Sequence, residues 1–179
     1  LTLKVSSGDF SDAARGDIIR RIAIHRDSLK IAKPAPILLY GHDVNSDDMP
    51  GLYKAADCYV GISREGFGLS YAEAMAAGIA CIGPEVGGTR QFMNPDNSYL
   101  VKYIGNEPIS PDMARMNPIF DGLTWAKHSW EHLSIVMRQA ASNNTERAEI
   151  ALKGQDFIRL NLTFESIGRR IGSLVEDAQ

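Results

Sequence analysis

The sequence lacks the features that would assign it to several large classes of protein. No apolar run approaches the ~20 residues that a membrane-spanning helix needs, and no secretory signal is visible. The net charge of −3 provides no basic surface for nucleic acid. An apolar share of 44% and a charged share of 23% are typical of soluble globular proteins. We therefore expect a soluble, cytoplasmic protein with no nucleic-acid partner.

Metal-binding and disulfide patterns are also scarce. The 179 residues include two cysteines, Cys58 and Cys81, and both lie in apolar segments that read as strands. This placement predicts buried thiols rather than a disulfide or a zinc site. His128 and His132 are four residues apart in a predicted helix, but a third ligand and the His-Glu-x-x-His order are missing. We interpret them as surface histidines and expect no metal.

The apolar segments alternate between strand-like and helix-like patterns. Short strands are predicted near residues 1–5, 37–40, 58–62, 79–83 and 98–101, and helices near 13–29, 50–56, 70–77, 128–141, 143–160 and 163–176. Residues 103–124 show no sustained period, so we predict a long irregular loop there, with Trp125 and Trp130 anchoring it to the body. The alternation predicts an α/β fold: a Rossmann-like parallel sheet with helices on both faces and additional C-terminal helices, in one domain over residues 1–179.

The residues expected to carry function lie between Gly61 and Gly78. A buried strand ends there, a loop with Gly66 and Gly68 follows, and a helix begins near Ser70. Ligands of such sheets bind beyond the carboxyl ends of the strands. The N–H groups of this loop could face a polar or anionic ligand. This segment is therefore the predicted site.

Two acids flank the predicted site, and a structural alternative is apparent for one of them. Glu73 follows Ser70 by three residues, the spacing of a capping box, so it is either a helix cap or a ligand group. Glu65 lies in a confined loop, where a carboxylate can accept two vicinal hydroxyls of a sugar or a ribose. A third interpretation makes the two acids a glycosidase pair.

The stretch from Glu65 to Gly78 resembles the E-x7-E signature of retaining glycosyltransferase family 4, the "group 1" enzymes with the GT-B fold. Residues 50–57 (Pro-Gly-Leu-Tyr-Lys-Ala-Ala-Asp) resemble the helix that precedes this signature. Residues 79–83 with Gly87-Gly88-Thr89 resemble the element that follows it. The resemblance extends from about residue 37 to 101, and it identifies the C-terminal, donor-binding half of such an enzyme.

The resemblance implies a role for each matching residue. Glu65 is the expected catalytic residue and would accept hydroxyls of the transferred sugar, while Glu73 would accept the ribose hydroxyls. The donor would be a UDP- or GDP-sugar, used without a cofactor. A metal-dependent glycosyltransferase would need an Asp-x-Asp motif, which Asp47-Asp48 does not supply. The remaining donor-binding residues would be Gly66, Phe67, Gly68 and Leu69 at the sugar and diphosphate, and Gly41 and His42 near the base.

The resemblance also implies parts that this chain lacks. The first βα unit, with the basic pair that clamps the diphosphate, and the N-terminal acceptor domain would lie elsewhere in a longer protein. That domain would bind a glycan or lipid-linked acceptor for polysaccharide biosynthesis, and the full-length protein could associate peripherally with a membrane. The 179 residues alone are expected to bind donor weakly, without turnover. The alternative is a non-catalytic nucleotide- or sugar-binding module. Ser70 and Gln91 depart from the family's usual Pro and Glu, and Arg64 is a weaker candidate for a donor contact.

Overall fold

A computed structural model describes residues 1–4, 11–41, 44–62 and 65–177. The chain forms two compact units, Leu1–Met49 and Pro50–Gln179. The strands are β1 (Thr2–Lys4), β2 (Leu38–Tyr40), β3 (Cys58–Val60), β4 (Ala80–Pro84), β5 (Tyr99–Val101), β6 (Tyr103–Pro108) and β7 (Thr124–His128). The helices are α1 (Asp12–Ser28), α2 (Met49–Lys54), α3 (Leu69–Ala76), α4 (Pro111–Met116), α5 (Trp130–Ser142), α6 (Asn144–Asn161) and α7 (Phe164–Glu176).

The first unit is a βαβ arrangement with little buried surface. Strands β1 and β2 pair in parallel, with Leu3 opposite Leu39, and α1 connects them. Helix α1 begins where the Ser11 side chain accepts a hydrogen bond from the N–H of Ala14. It contains no buried residue, so propensity, its cap and surface ion pairs support it more than packing does.

The second unit is built on the parallel sheet β3-β4-β5, with β4 in the centre. All five residues of β4 are buried. Its side chains alternate: Ala80 and Ile82 join the apolar cluster with Val136, Ala140 and Ile150 of α5 and α6. On the other face, Gly83 lies against the ring of Tyr71 in α3. The predicted fold class, a parallel sheet between helices with additional C-terminal helices, is confirmed.

The three C-terminal helices occupy the predicted positions, and each has a polar cap. Ser129 caps α5, Asn143 caps α6, and Thr163 forms a capping box with Ser166 at the start of α7. Each cap side chain accepts a hydrogen bond from a backbone N–H three residues later, which satisfies a donor that the helix itself leaves without a partner. The boundaries of these helices could therefore be predicted from the sequence.

The prediction of an irregular loop over residues 103–124 is wrong. Strands β6 and β7 form an antiparallel pair, and the segment that connects them contains α4 and a short 3-10 turn. Burial alternates along β6, but its register shifts between Tyr103 and Asn106, and Gly105 has a φ of +118°. The sequence does not show this alternation, because the apolar Ile104 is exposed whereas Gly105 and Glu107 are partly buried. His128 consequently lies in β7 rather than on a helix with His132. Trp130 is 65% exposed, which does not fit the predicted role of an anchor.

The cysteines lie in the sheet, as predicted. Cys81 in β4 is fully buried, Cys58 in β3 is half-buried, and both are free thiols. Burial raises the pKa of the Cys58 thiol to about 11 and raises the pKa of Cys81 as well. Neither thiol is therefore a thiolate at neutral pH, which is the state of a packing residue rather than a nucleophile.

Candidate functional site

The predicted site lies where β3 ends. The N–H of Gly61 donates to the carbonyl of Ile82 over 3.1 Å, which continues the pairing with β4 by one residue. The chain then reaches Glu65, which is exposed, and enters α3 through Gly68. Gly68 has a φ of +93°, a conformation that favours glycine. The loop thus connects a carboxyl end of the sheet directly to a helix N-terminus.

A second loop, which follows β4, packs closely against the first. A Cβ at Gly88 would lie 1.7 Å from the carbonyl oxygen of Gly66, and one at Gly68 would lie 2.6 Å from the Cγ2 of Thr89. The rings of Phe67 and Phe92 also meet, with centroids 5.2 Å apart. The two loops therefore form one surface at the carboxyl ends of β3 and β4, the edge where parallel sheets bind ligands.

The capping-box interpretation of Ser70 and Glu73 is wrong. Helix α3 begins at Leu69, one residue before Ser70, and its N-cap is Gly68, which has no side chain with which to cap. The helix has no acidic residue in its first turn, so Glu73 lies one turn further along. The hydroxyl of Ser70 instead accepts a hydrogen bond from the phenol of Tyr59 at 3.0 Å. The helix therefore starts one residue before the predicted Ser70, directly after Gly68 in its left-handed conformation.

Glu73 is held by a tyrosine from another helix. The phenol of Tyr53 in α2 donates to Oε2 of Glu73 over 3.0 Å. Burial, and then the hydrogen bond to Glu73, raise the pKa of Tyr53. Tyr53 therefore remains a neutral donor at physiological pH, and the exposed carboxylate keeps acceptor positions for a ligand.

The other predicted site residues do not all lie together in the second unit. Gly66, Phe67 and Leu69 lie in the loop and first helical turn beside Glu65, and Leu69 is 65% exposed. Gly41 is buried in the first unit, where a Cβ would lie 3.0 Å from Cδ of Arg15. His42 and Arg64 lie outside the described residues. Glu65 to Leu69 and Glu73 therefore share the second unit, whereas Gly41 belongs to the first.

Tyr53 and Tyr59 were missed as candidates by sequence reasoning. Tyr53 belongs to residues 50–57, which resemble the helix that precedes the family signature, and Tyr59 belongs to a predicted buried strand. Both positions therefore had the pattern of core residues. A buried tyrosine usually needs a partner for its hydroxyl. Two tyrosines close in sequence to a glycine loop with two acids could have indicated hydrogen bonds to that segment.

Residues 1–4, 11–41, 44–62 and 65–177 include no helix that is both long and apolar enough to cross a bilayer. Within the same ranges, no group of three or more His, Cys, Asp or Glu side chains could hold a metal ion.

Known structures share this fold over most of the chain. The C-terminal domain of the glycosyl transferase group 1 family protein LpcC from Francisella tularensis has a TM-score of 0.57 at 23% identity, covering 83% of this chain. Sucrose-phosphate synthase from Thermosynechococcus elongatus has a TM-score of 0.66 at 19% identity over 99% of this chain. Anabaena Alr3699/HepE, in complex with UDP and glucose, has a TM-score of 0.60 at 16% identity over 92% of this chain.

The similarity covers only part of those molecules. The matched region spans 64% of the Francisella chain and 38% of each of the other two. No curated protein sequence matches the chain. The family model described as "Glycosyl transferases group 1" matches residues 19–108, half of the 179-residue chain, and includes the loop and both acids. The chain therefore belongs to the group 1 glycosyltransferase family.

Proposed function

We propose that the chain is the donor-binding domain of a retaining glycosyltransferase, which moves a sugar from a UDP- or GDP-sugar to a glycan or lipid-linked acceptor. The observation that carries the proposal is the joined surface at the carboxyl ends of β3 and β4. There the loop from Glu65 to Gly68 packs on Gly88 and leads directly into α3. The UDP and glucose held by the Anabaena protein of the same fold support this donor class.

In the proposed site, Glu65 contacts the reacting sugar. Its exposed carboxylate accepts sugar hydroxyls, and the N–H groups of Gly66 to Leu69 face the sugar and the diphosphate. The start of α3 favours negative charge there, because the helix dipole and backbone N–H groups both point toward it. Glu73 accepts the ribose hydroxyls, while Gly41 and His42 contact the base.

The proposed reaction needs only the donor and the acceptor. The acceptor oxygen bonds to the anomeric carbon as the bond to the diphosphate breaks on the same face, so the configuration is retained. The acceptor proton passes to the departing diphosphate. Electrostatic stabilisation of that leaving group by N–H groups is the main contribution we assign to the loop.

The partners are also proposals. We expect the acceptor to bind a separate N-terminal domain of the full-length protein, which acts in the cytoplasm and can associate peripherally with a membrane. The 179 residues alone should bind donor weakly and show no turnover, because one face of the donor would be open.

The test is a donor screen on the full-length protein with UDP- and GDP-sugars, repeated with Glu65→Ala and Glu73→Gln. Each substitution should slow transfer by about tenfold or more, the effect of losing roughly 1.4 kcal/mol of transition-state stabilisation. Glu149→Gln is the matched control, since Glu149 is an exposed acid on α6. Unchanged rates in both site variants would refute the site assignment. Nucleotide binding without transfer to any acceptor would instead indicate a binding module.

A further inference from the structure

We propose that Tyr53 is a positioning residue for the donor ribose, because its hydroxyl fixes the carboxylate of Glu73 in the orientation that receives the ribose hydroxyls. The inference rests on the proposed function, which assigns the ribose to Glu73. It adds a second residue, from a different helix, to the recognition of the sugar of the nucleotide.

The hydroxyl of Tyr53 is a hydrogen-bond donor in a fixed position, and the carboxylate of Glu73 is an acceptor whose side chain could otherwise rotate. Tyr53 is 8% exposed, and its phenol lies 3.0 Å from Oε2 of Glu73. Glu73 is exposed on α3, where a glutamate side chain without a partner would sample several rotamers. An ionised carboxylate has about four acceptor positions. One bond to Tyr53 therefore restrains it and leaves enough positions for two vicinal hydroxyls.

Tyr53 is itself held by a row of aromatic rings. Its ring meets that of Tyr59 edge-on, with centroids 5.9 Å apart, and Tyr59 meets Tyr71 at 5.2 Å. Tyr71 is fully buried between α3 and the sheet. Because the row ends in the core, the position of the Tyr53 hydroxyl is set by the packing of α2, β3 and α3 rather than by solvent. The orientation of Glu73 is consequently prepared before any ligand arrives.

Tyr59 provides a matched control. Its hydroxyl also donates to a side chain of α3, at the same 3.0 Å, but the acceptor is Ser70 rather than the acid. Tyr53→Phe and Tyr59→Phe each remove one hydroxyl from the same aromatic row and leave the ring. A merely structural role would predict similar effects for the two variants, whereas a positioning role concerns Tyr53 alone.

The experiment measures binding of UDP and GDP, and of their 2′-deoxy and 3′-deoxy counterparts, to the full-length protein by calorimetry. The wild-type protein should bind its ribonucleotide, UDP or GDP, more tightly than the 2′-deoxy and 3′-deoxy counterparts of that nucleotide. Tyr53→Phe should reduce this preference by about threefold or more, the effect of weakening a charge-assisted hydrogen bond. Its affinity for the deoxynucleotides should change little, and Tyr59→Phe should preserve the preference. In a Glu73→Ala background, which removes the acceptor, Tyr53→Phe should no longer alter the preference, since its effect passes through the side chain of Glu73.

Two kinds of outcome would overturn the inference, and only one of them would also overturn the proposed function. If Tyr53→Phe weakened ribo- and deoxynucleotides equally, or altered the preference equally in the Glu73→Ala background, Tyr53 would be structural and the proposed function would survive. If the wild-type protein bound neither UDP nor GDP, the proposed function would fail and the inference with it. Melting temperatures of all variants identify any loss of fold, and the ratio of affinities remains interpretable because instability affects both nucleotides.

Discussion

Gly66 and Gly88 lie on opposite sides of the closest backbone approach in the site. A Cβ at Gly88 would overlap the carbonyl oxygen of Gly66 at 1.7 Å, and that atom cannot rotate away as a side chain could. At Gly66, by contrast, a Cβ would meet no atom within 4 Å among the described residues. The glycine that this contact requires is therefore the one in the second loop.

Replacing Gly88 with alanine should damage both the fold and the site. The added methyl group must push the two loops apart, so we expect a loss of about 1–3 kcal/mol in the free energy of unfolding, as for other overpacked positions. Donor nucleotide should bind more weakly because the N–H groups of Gly66 and Phe67 move. Urea denaturation and calorimetry measure the two effects.

Gly66→Ala is the control for stability, because it adds the same methyl group from the other side of the contact. Its free energy of unfolding should stay within about 0.5 kcal/mol of the wild-type value. Equal destabilisation by the two variants would contradict the assignment of the contact to Gly88. The comparison separates a steric requirement from a general need for glycine in this loop.

Helices α3 and α6 pack closely because of a glycine in the middle of α6. A Cβ at Gly154 would lie 3.1 Å from Cε of Met75 and 3.2 Å from the carbonyl oxygen of Asn97. Asn97 is held firmly, since its side chain bonds the backbone of Asn94 and Phe92 at 2.8 and 2.9 Å. Glycine in a helix interior is itself unfavourable, so its presence here indicates that the close approach matters more.

Gly154→Ala and Gly168→Ala should therefore have opposite effects on stability. Gly168 is also in a helix interior, α7, and a Cβ there meets no described atom within 4 Å. Alanine at 168 should add about 0.5–1 kcal/mol through helix propensity alone. Alanine at 154 should lower the free energy of unfolding, because the carbonyl of Asn97 cannot retreat. Thermal denaturation tests both, and stabilisation by Gly154→Ala would show that α3 and α6 can separate at little cost.

The elements show what the sequence could and could not predict. Helices with polar caps, such as α5 and α7, were readable because the cap and the apolar pattern are both local. The hairpin β6–β7 was not, because burial alternates along β6 but residue type does not: Ile104 is exposed, whereas Gly105 and Glu107 are partly buried. The start of α3 was misplaced by one residue, since neither the left-handed conformation of Gly68 nor its closeness to Thr89 in another loop is visible in the local sequence. Tyr53 was missed for the same reason, as its partner is twenty residues away in the chain.

At the scale of the whole molecule, the two units differ in how much they bury. In the second unit, Tyr71, Cys81 and Val101 are fully buried. In the first, α1 buries no residue, and its Ile19 and Ile24 are 56% and 65% exposed. Surface ion pairs such as that between Arg21 and Asp17 add little to a helix without such packing. The free energy that protects the fold is therefore concentrated in residues 50–179.

Hydrogen exchange of backbone amides should separate the two units. Helix α6 is a matched reference for α1, since they have 18 and 17 residues and α6 buries Ile150, Gly154 and Ile158. Opening α1 exposes little new apolar surface, because none of its residues is fully buried, so its amides should exchange by local opening, whereas those of α6 should require loss of the core. In the 179-residue chain we expect α6 to be protected about a hundredfold more than α1, a difference of roughly 2.7 kcal/mol in opening free energy. Equal protection of the two helices, measured by mass spectrometry of peptides from each, would show that Leu1–Met49 is stabilised by something other than its own packing.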